Sequence, residues 1–165
     1  MHPYKIEEFT IMKIISRILS ISVLVLVFFG SCKKDAEVVD YTAIDKKIIQ
    51  NYIKANNLNA DSTSSGLYYV VDKPGTGKRP TYYSDIKIRY KGMLTDGSVF
   101  DEAKSAITLN LSRVIAGWQQ GIPFFKEGGQ GTLLIPSALG YGSSGQNKIP
   151  ANSVLIFEIK LDEVR

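Results

Sequence analysis

Between residues 86 and 91 the chain alternates without a break, Ile86, Ile88 and Tyr90 against Lys87, Arg89 and Lys91. A period of two sends one set to a buried face and the other to water, so this segment is a half-buried strand. Asp96-Gly97 marks a tight hairpin turn, leading to Val99-Phe100, and Ile107, Leu109 and Leu111 then alternate again. Residues 67–71 are β-branched and aromatic, and 132–135 and 153–164 read as two more strands, separated by a Gly/Ser/Pro-rich loop, 136–152. Only 114–120, around Trp118, has helical spacing here; it is too short to stand alone, and Pro123 limits its extension. These patterns predict an α+β domain over 66–165, with about five antiparallel strands and one short helix.

Before that domain the texture differs. Ile44, Ile48, Ile49, Tyr52 and Ile53 recur at helical spacing over 41–57, opposite Lys46, Lys47, Gln50 and Lys54. Asp40 or Thr42 is placed to cap the start, and Asn56-Asn57 suits the end. The helix must pack on something, either its own domain or a second copy. Residues 59–65 (NADSTSS) form a polar linker, and the domain boundary falls there, with 32–65 serving as tether and helix.

The first 31 residues read as a secretory signal peptide. Twelve uncharged residues, ILSISVLVLVFF at 18–29, follow Lys13 and Arg17. A membrane-spanning helix needs roughly 20 apolar residues, whereas a signal-peptide core takes about 7–15. Met12 is the expected start, because Glu7 and Glu8 spoil a basic leader. Gly30-Ser31-Cys32 resembles the bacterial lipobox, in which the cysteine is lipidated, although Phe29 departs from the usual leucine. That resemblance implies a lipid-anchored protein of the cell envelope. By lipoprotein sorting rules Lys33-Lys34-Asp35 favours the outer membrane, on its periplasmic face or the cell surface.

Composition narrows the chemistry by exclusion. The single cysteine, Cys32, rules out an internal disulfide framework, and the single histidine, His2, stands at the extreme N-terminus. Histidine-dependent triads and dyads and multi-histidine or multi-cysteine metal sites therefore have no place in the folded body. Three basic and two acidic residues fall in 1–31, leaving 17 against 14, a net charge of +3 without a basic cluster. Nucleic acid is not the expected partner. Gly75-Thr-Gly77-Lys78 lacks the spacing, the following Ser/Thr and the helix of a phosphate loop, so it is a turn. Asp101 and Glu102 are adjacent in a strand and point to opposite faces, which makes a cooperating carboxylate pair unfavourable. There remain Tyr90, Phe100, Trp118, Tyr141 and Phe157, spread over strand, helix and loop. They fit an ordinary core, and equally a concave apolar pocket with polar tips at the tyrosines and Asp101.

Four blocks stand out: YKGMLTDGSVFD at 90–101, VIAGWQQG at 114–121, ALGYG at 138–142 and IPANSVLIF at 149–157. In this order and near this spacing, over about 66–165, they resemble the FKBP-type peptidyl-prolyl cis-trans isomerases. The resemblance implies a twisted antiparallel sheet wrapped around a short helix, and rotation of X–Pro bonds in exported, proline-containing polypeptides. It implies no metal and no cofactor. Carried over by motif position, Trp118 forms the pocket floor, and Tyr90, Phe100, Val114, Ile115 and Phe157 its walls. The Ile115 N–H and the Tyr141 hydroxyl hold substrate carbonyls, while Asp101 orients polar contacts, in part through Tyr90. Ile107 stands where many relatives place a phenylalanine wall. The 145–148 tip lacks the apolar residues often found over the pocket, and Lys148 puts a charge at the rim. Gly128-Gly129 and Gly131 are expected to loosen the start of the strand after them. The alternative function on the same residues is a proline-peptide-binding chaperone or surface-interaction module without turnover.

Overall fold

The computed structural model describes residues 39–165; the expected signal segment 1–31, the expected lipidation at Cys32 and the first part of the expected tether lie outside the described residues. Helix α1 (Tyr41–Ala55) is followed by strands β1 (Asp61–Ser62), β2 (Tyr68–Lys73), β3 (Asp85–Met93) and β4 (Val99–Asn110). After a 3-10 turn (Leu111–Arg113) come helix α2 (Ala116–Gly121), strand β5 (Gln130–Ile135), the 3-10 turn Ser137–Leu139 and strand β6 (Leu155–Val164). All pairings are antiparallel, in the order β1-β2-β5-β6-β3-β4. The sheet twists around α2, the α+β arrangement expected from the alternation, with a sixth strand lying in what reads as the polar linker.

Alternation sorts the sheet residues onto two faces. One face carries Ile86, Ile88, Leu133, Ile135, Leu155, Phe157, Ile159 and Leu161, which close over Trp118 and Ile122 of the short helical segment. The neighbouring positions Leu134 and Ile156, with Met93 and Val154, face the other way and are covered by Ile49 of α1, flanked by Ile48, Tyr52 and Ile53. Burying these apolar faces supplies about 25 cal/mol per Å² removed from water. Between β3 and β6 the solvent face is ionic: Arg89 forks onto both Asp162 carboxylate oxygens at 2.8 and 2.6 Å, and Lys87 meets Glu163 at 2.7 Å.

Two expectations change. Asp40 does cap α1, its Oδ1 accepting from the Thr42 and Ala43 N–H groups at 3.0 and 3.4 Å. The helix turns the face its isoleucines define toward the domain, but Ile44 at the edge of that face is 41% exposed, while Asp45, in the middle of it, is buried at 1%. Asp45 is tolerated there because its carboxylate meets the Ser137 N–H and hydroxyl on the body of the domain, a gain that hydrophobic spacing does not register. Gly131 tightens the sheet instead of loosening it, since a Cβ there would lie 2.0 Å from the Val70 carbonyl oxygen and 2.7 Å from the Phe125 ring. Only glycine lets β5 lie this close to β2 with Phe125 packed beneath it.

Candidate active site

A cleft of about 710 Å³ opens between α2, the concave face of β3, β4 and β6, and the 141–149 loop. Tyr90, Phe100, Asp101, Val114, Ile115, Trp118, Tyr141 and Phe157 all line it. Four of them form a box of edge-on rings. Trp118 stands perpendicular to Tyr90 (centroids 5.0 Å apart, 86°) and to Phe157 (5.2 Å, 79°), and Phe100 to Phe157 (5.4 Å, 82°). Such edge-to-face pairs place positive ring edges on negative faces and hold one another rigid. Trp118 is 4% exposed, and its indole N–H is buried without an acceptor.

Gly92 makes the box possible. A Cβ there would lie 2.5 Å from Phe100 Cε2 and 2.9 Å from Phe157 Cε1, so two walls converge where a side chain is missing. The first motif block contains Gly92, but nothing in its spacing signals this role. Gln119 is a second supporting residue, its amide donating to the carbonyls of Val114 (2.8 Å) and Ser112 (3.3 Å) and fixing the approach to α2.

Polar groups sit at the edges. The Tyr90 hydroxyl donates to Asp101 Oδ2 at 2.5 Å, and the Glu102 N–H donates to Oδ1 at 2.9 Å. Burial first, and then the bond to Asp101, push the Tyr90 phenol well above its usual range; burial and the Asp101 charge push Tyr141 up as well. Both remain neutral O–H donors at physiological pH. Among the described residues the Tyr141 hydroxyl and the Ile115 N–H have no hydrogen-bond partner, leaving both free to meet a ligand carbonyl. Glu102, by contrast, leaves the cleft and pairs with Lys104 at 3.6 Å, as strand alternation requires.

Ile107 does not join them. It pairs with Ile88 and is 36% exposed on the edge strand, and the cleft is lined instead by Leu109, two residues on. Between the partners of Ile88 and Tyr90, β4 carries a bulge of extra residues, which parts Ile107 from Phe100 and Asp101. Leu109 belongs to the same alternating run as Ile107, so its side was legible although its place in the cleft was not. Arg113 and Ile149 also line the cleft, each adjoining or opening a recognised block. Gln146, Asn147 and Lys148 supply the polar rim that the loop composition announced. Among the described residues no three His, Cys, Asp or Glu side chains gather as a metal-binding group. The Gly75–Gly77 turn has its Thr76 and Gly77 amides already committed to the Glu127 carbonyl, both at 3.1 Å.

Known proteins share this arrangement. The FkpA peptidyl-prolyl cis-trans isomerase of Buchnera aphidicola (subsp. Schizaphis graminum) is 41% identical over 141 residues, 80% of this chain and 56% of that protein. The crystal structure of FkpA from Escherichia coli superposes with a TM-score of 0.69 at 31% identity, covering 100% of this chain and 74% of that one. A peptidyl-prolyl cis-trans isomerase structure from Pseudomonas syringae gives a TM-score of 0.65 at 28% identity, over 74% of this chain and 95% of that one. This chain spans about half the length of the curated FkpA relatives it matches. Residues 77–162, which include every ring of the aromatic box, match the sequence pattern of the FKBP-type peptidyl-prolyl cis-trans isomerases. With its sheet, short helix and pocket motifs all in agreement, the chain belongs to that family.

Proposed function

We propose that this protein is a peptidyl-prolyl cis-trans isomerase acting on X–Pro bonds of exported polypeptides, held in the cell envelope by a lipid on Cys32. The observation that carries the catalytic reading is the aromatic box on Trp118, with two unpartnered donors, the Ile115 N–H and the Tyr141 hydroxyl, at its edge. Rotation about a peptide C–N bond is opposed by a resonance barrier of about 18–20 kcal/mol and takes tens to hundreds of seconds unaided at proline. On twisting, the nitrogen loses conjugation and the carbonyl loses dipolar character. A dry aromatic enclosure therefore favours the twisted amide over the planar one, which is differential binding of the transition state. Removing about 5–6 kcal/mol yields roughly four decades of rate. No bond is made or broken, so neither base nor nucleophile is required. Tyr141 and the Ile115 N–H anchor flanking carbonyls while the proline ring rests on Trp118, and Asp101 holds the Tyr90 hydroxyl away from the ring.

Cis-to-trans isomerisation of short X–Pro peptides by the full chain in detergent tests this reading, with Asp101→Val beside it. Acceleration that falls in the variant, at unchanged circular dichroism, places catalysis in the cleft. A folded protein that binds these peptides without accelerating them is a proline-binding module, and the enzymatic reading fails. The anchoring is tested separately. Incorporation of labelled fatty acid that disappears in Cys32→Ser, with the protein moving from the membrane fraction to the soluble one, supports it; unchanged labelling or fractionation refutes it.

A further inference from the structure

Asp45 is the buried carboxylate that the cleft itself does not use. It sits on α1 at 1% exposure, and its Oδ2 accepts both the Ser137 N–H at 2.8 Å and the Ser137 hydroxyl at 2.6 Å, across 92 residues of sequence. Its Oδ1 has no partner. For stability alone this is a poor choice, because a buried carboxylate with a stranded oxygen costs more than an apolar side chain in its place. What the carboxylate does is fix one point of backbone. Ser137 opens the 3-10 turn that ends at Gly140, immediately before Tyr141. The Ser137 N–H belongs to the first residue of that turn, where no partner exists within the turn itself. Within the turn, Leu139 N–H bonds to the Pro136 carbonyl and Gly140 N–H to that of Ser137, so Pro136 to Gly140, the residue before Tyr141, are tied into one hydrogen-bonded piece. The Tyr141 hydroxyl makes no bond of its own among the described residues, and its position depends on that piece and on packing against the core.

We propose that Asp45 is a positioning residue for the isomerase site: through Ser137, helix α1 sets where the Tyr141 hydroxyl stands in the cleft. The inference rests on the isomerase reading of the cleft and makes the N-terminal helix a working part of the site. Its signature is coupling. In the full chain, Asp45→Ala lowers kcat/KM about three- to tenfold, and less than about 1.5-fold once Tyr141→Phe has removed the hydroxyl being positioned. Asp45→Asn, which keeps an oxygen acceptor for Ser137, retains most of the activity. In Asp45→Ala, backbone amides 137–142 exchange hydrogen at least tenfold faster while those of β3 do not change, which separates loop release from general destabilisation. Equal losses with the Tyr141 hydroxyl present and with it removed, or unchanged exchange at 137–142, overturn the proposal. Should Asp45→Ala fail to fold, Ser137→Ala, which deletes one of the two donors, carries the same cycle and is read the same way. A parent protein that folds and does not isomerise overturns the reading beneath, a result distinct from an active parent without coupling.

Discussion

Replacing Trp118 with leucine separates the structural work of the ring beneath the cleft from the catalytic work proposed for it. The change removes two edge-to-face contacts, with Tyr90 and Phe157, worth about 0.5–1.5 kcal/mol each. The smaller side chain leaves a cavity that costs about a further 1–2 kcal/mol at ~24 cal/mol per Å³. Against these stands the indole N–H, buried without an acceptor; deleting it returns about 1–3 kcal/mol. The terms oppose one another, and the net loss of stability is about 1–2 kcal/mol, a fall of several degrees in Tm. Catalysis has no such offset. Four decades of acceleration need about 5–6 kcal/mol. If four rings share that enclosure equally, losing the floor forfeits about a quarter of it, or about tenfold in kcat/KM. Unfolding is followed by circular dichroism, since Trp118 is the only tryptophan in the sequence, and turnover by exchange between the cis and trans peptide. A Trp118→Leu protein that loses stability as stated, yet isomerises within twofold of the parent, refutes the assignment of the floor.

Gly92→Ala forces its Cβ against Phe100 and Phe157; overpacking of this kind costs about 1–3 kcal/mol, and peptide KM is expected to rise severalfold as the walls shift, whereas unchanged KM counts against the convergence. The cleft lining holds Arg113 and Lys148 against the single carboxylate Asp101, and neither cation forms an ion pair among the described residues. Peptides with Glu before Pro are therefore expected to turn over about two- to threefold faster than those with Lys, as follows from about 0.5 kcal/mol of exposed charge interaction. The difference should vanish at about 1 M salt, and equal rates at low salt contradict it. Glu163 is held down to about 2 by its hydrogen bonds to Arg165 and Lys87. A folded-state value depressed in this way adds stability that is complete above pH ~4.5 and lost as pH falls toward ~2. The urea midpoint should thus fall less between about pH 6 and pH 2.5 in Glu163→Gln than in the parent; an equal fall denies the carboxylate its part.

What the sequence made legible divides along a physical line. Features written in local periodicity survive into the fold: the alternation at 86–91 became β3, the Asp96-Gly97 turn joined it to β4, and Asp40 capped α1. The ring box was legible only through its motifs, because aromatic content alone is shared by cores and pockets, and only tertiary geometry turns Trp118 edge-on to two partners. Ile107 shows the limit of register inference. Strand parity placed Ile107 and Leu109 on one side, but only the cleft's tertiary geometry shows that Leu109, and not Ile107, lines it.

Asp45 shows a deeper limit. On a helix wheel it interrupts the apolar stripe and reads as solvated, because burial of a carboxylate is favourable only where donors already wait, and its donors lie on Ser137. No window along the chain contains both. The same non-locality gives the residue its consequence. A side chain whose burial depends on a distant turn must hold that turn in return, and this turn carries the pocket tyrosine. The described helix and the FKBP-type domain are thus joined by two kinds of contact. Ile49 supplies affinity, which any apolar residue of similar shape would supply, while Asp45 supplies position, which apolar packing alone does not specify.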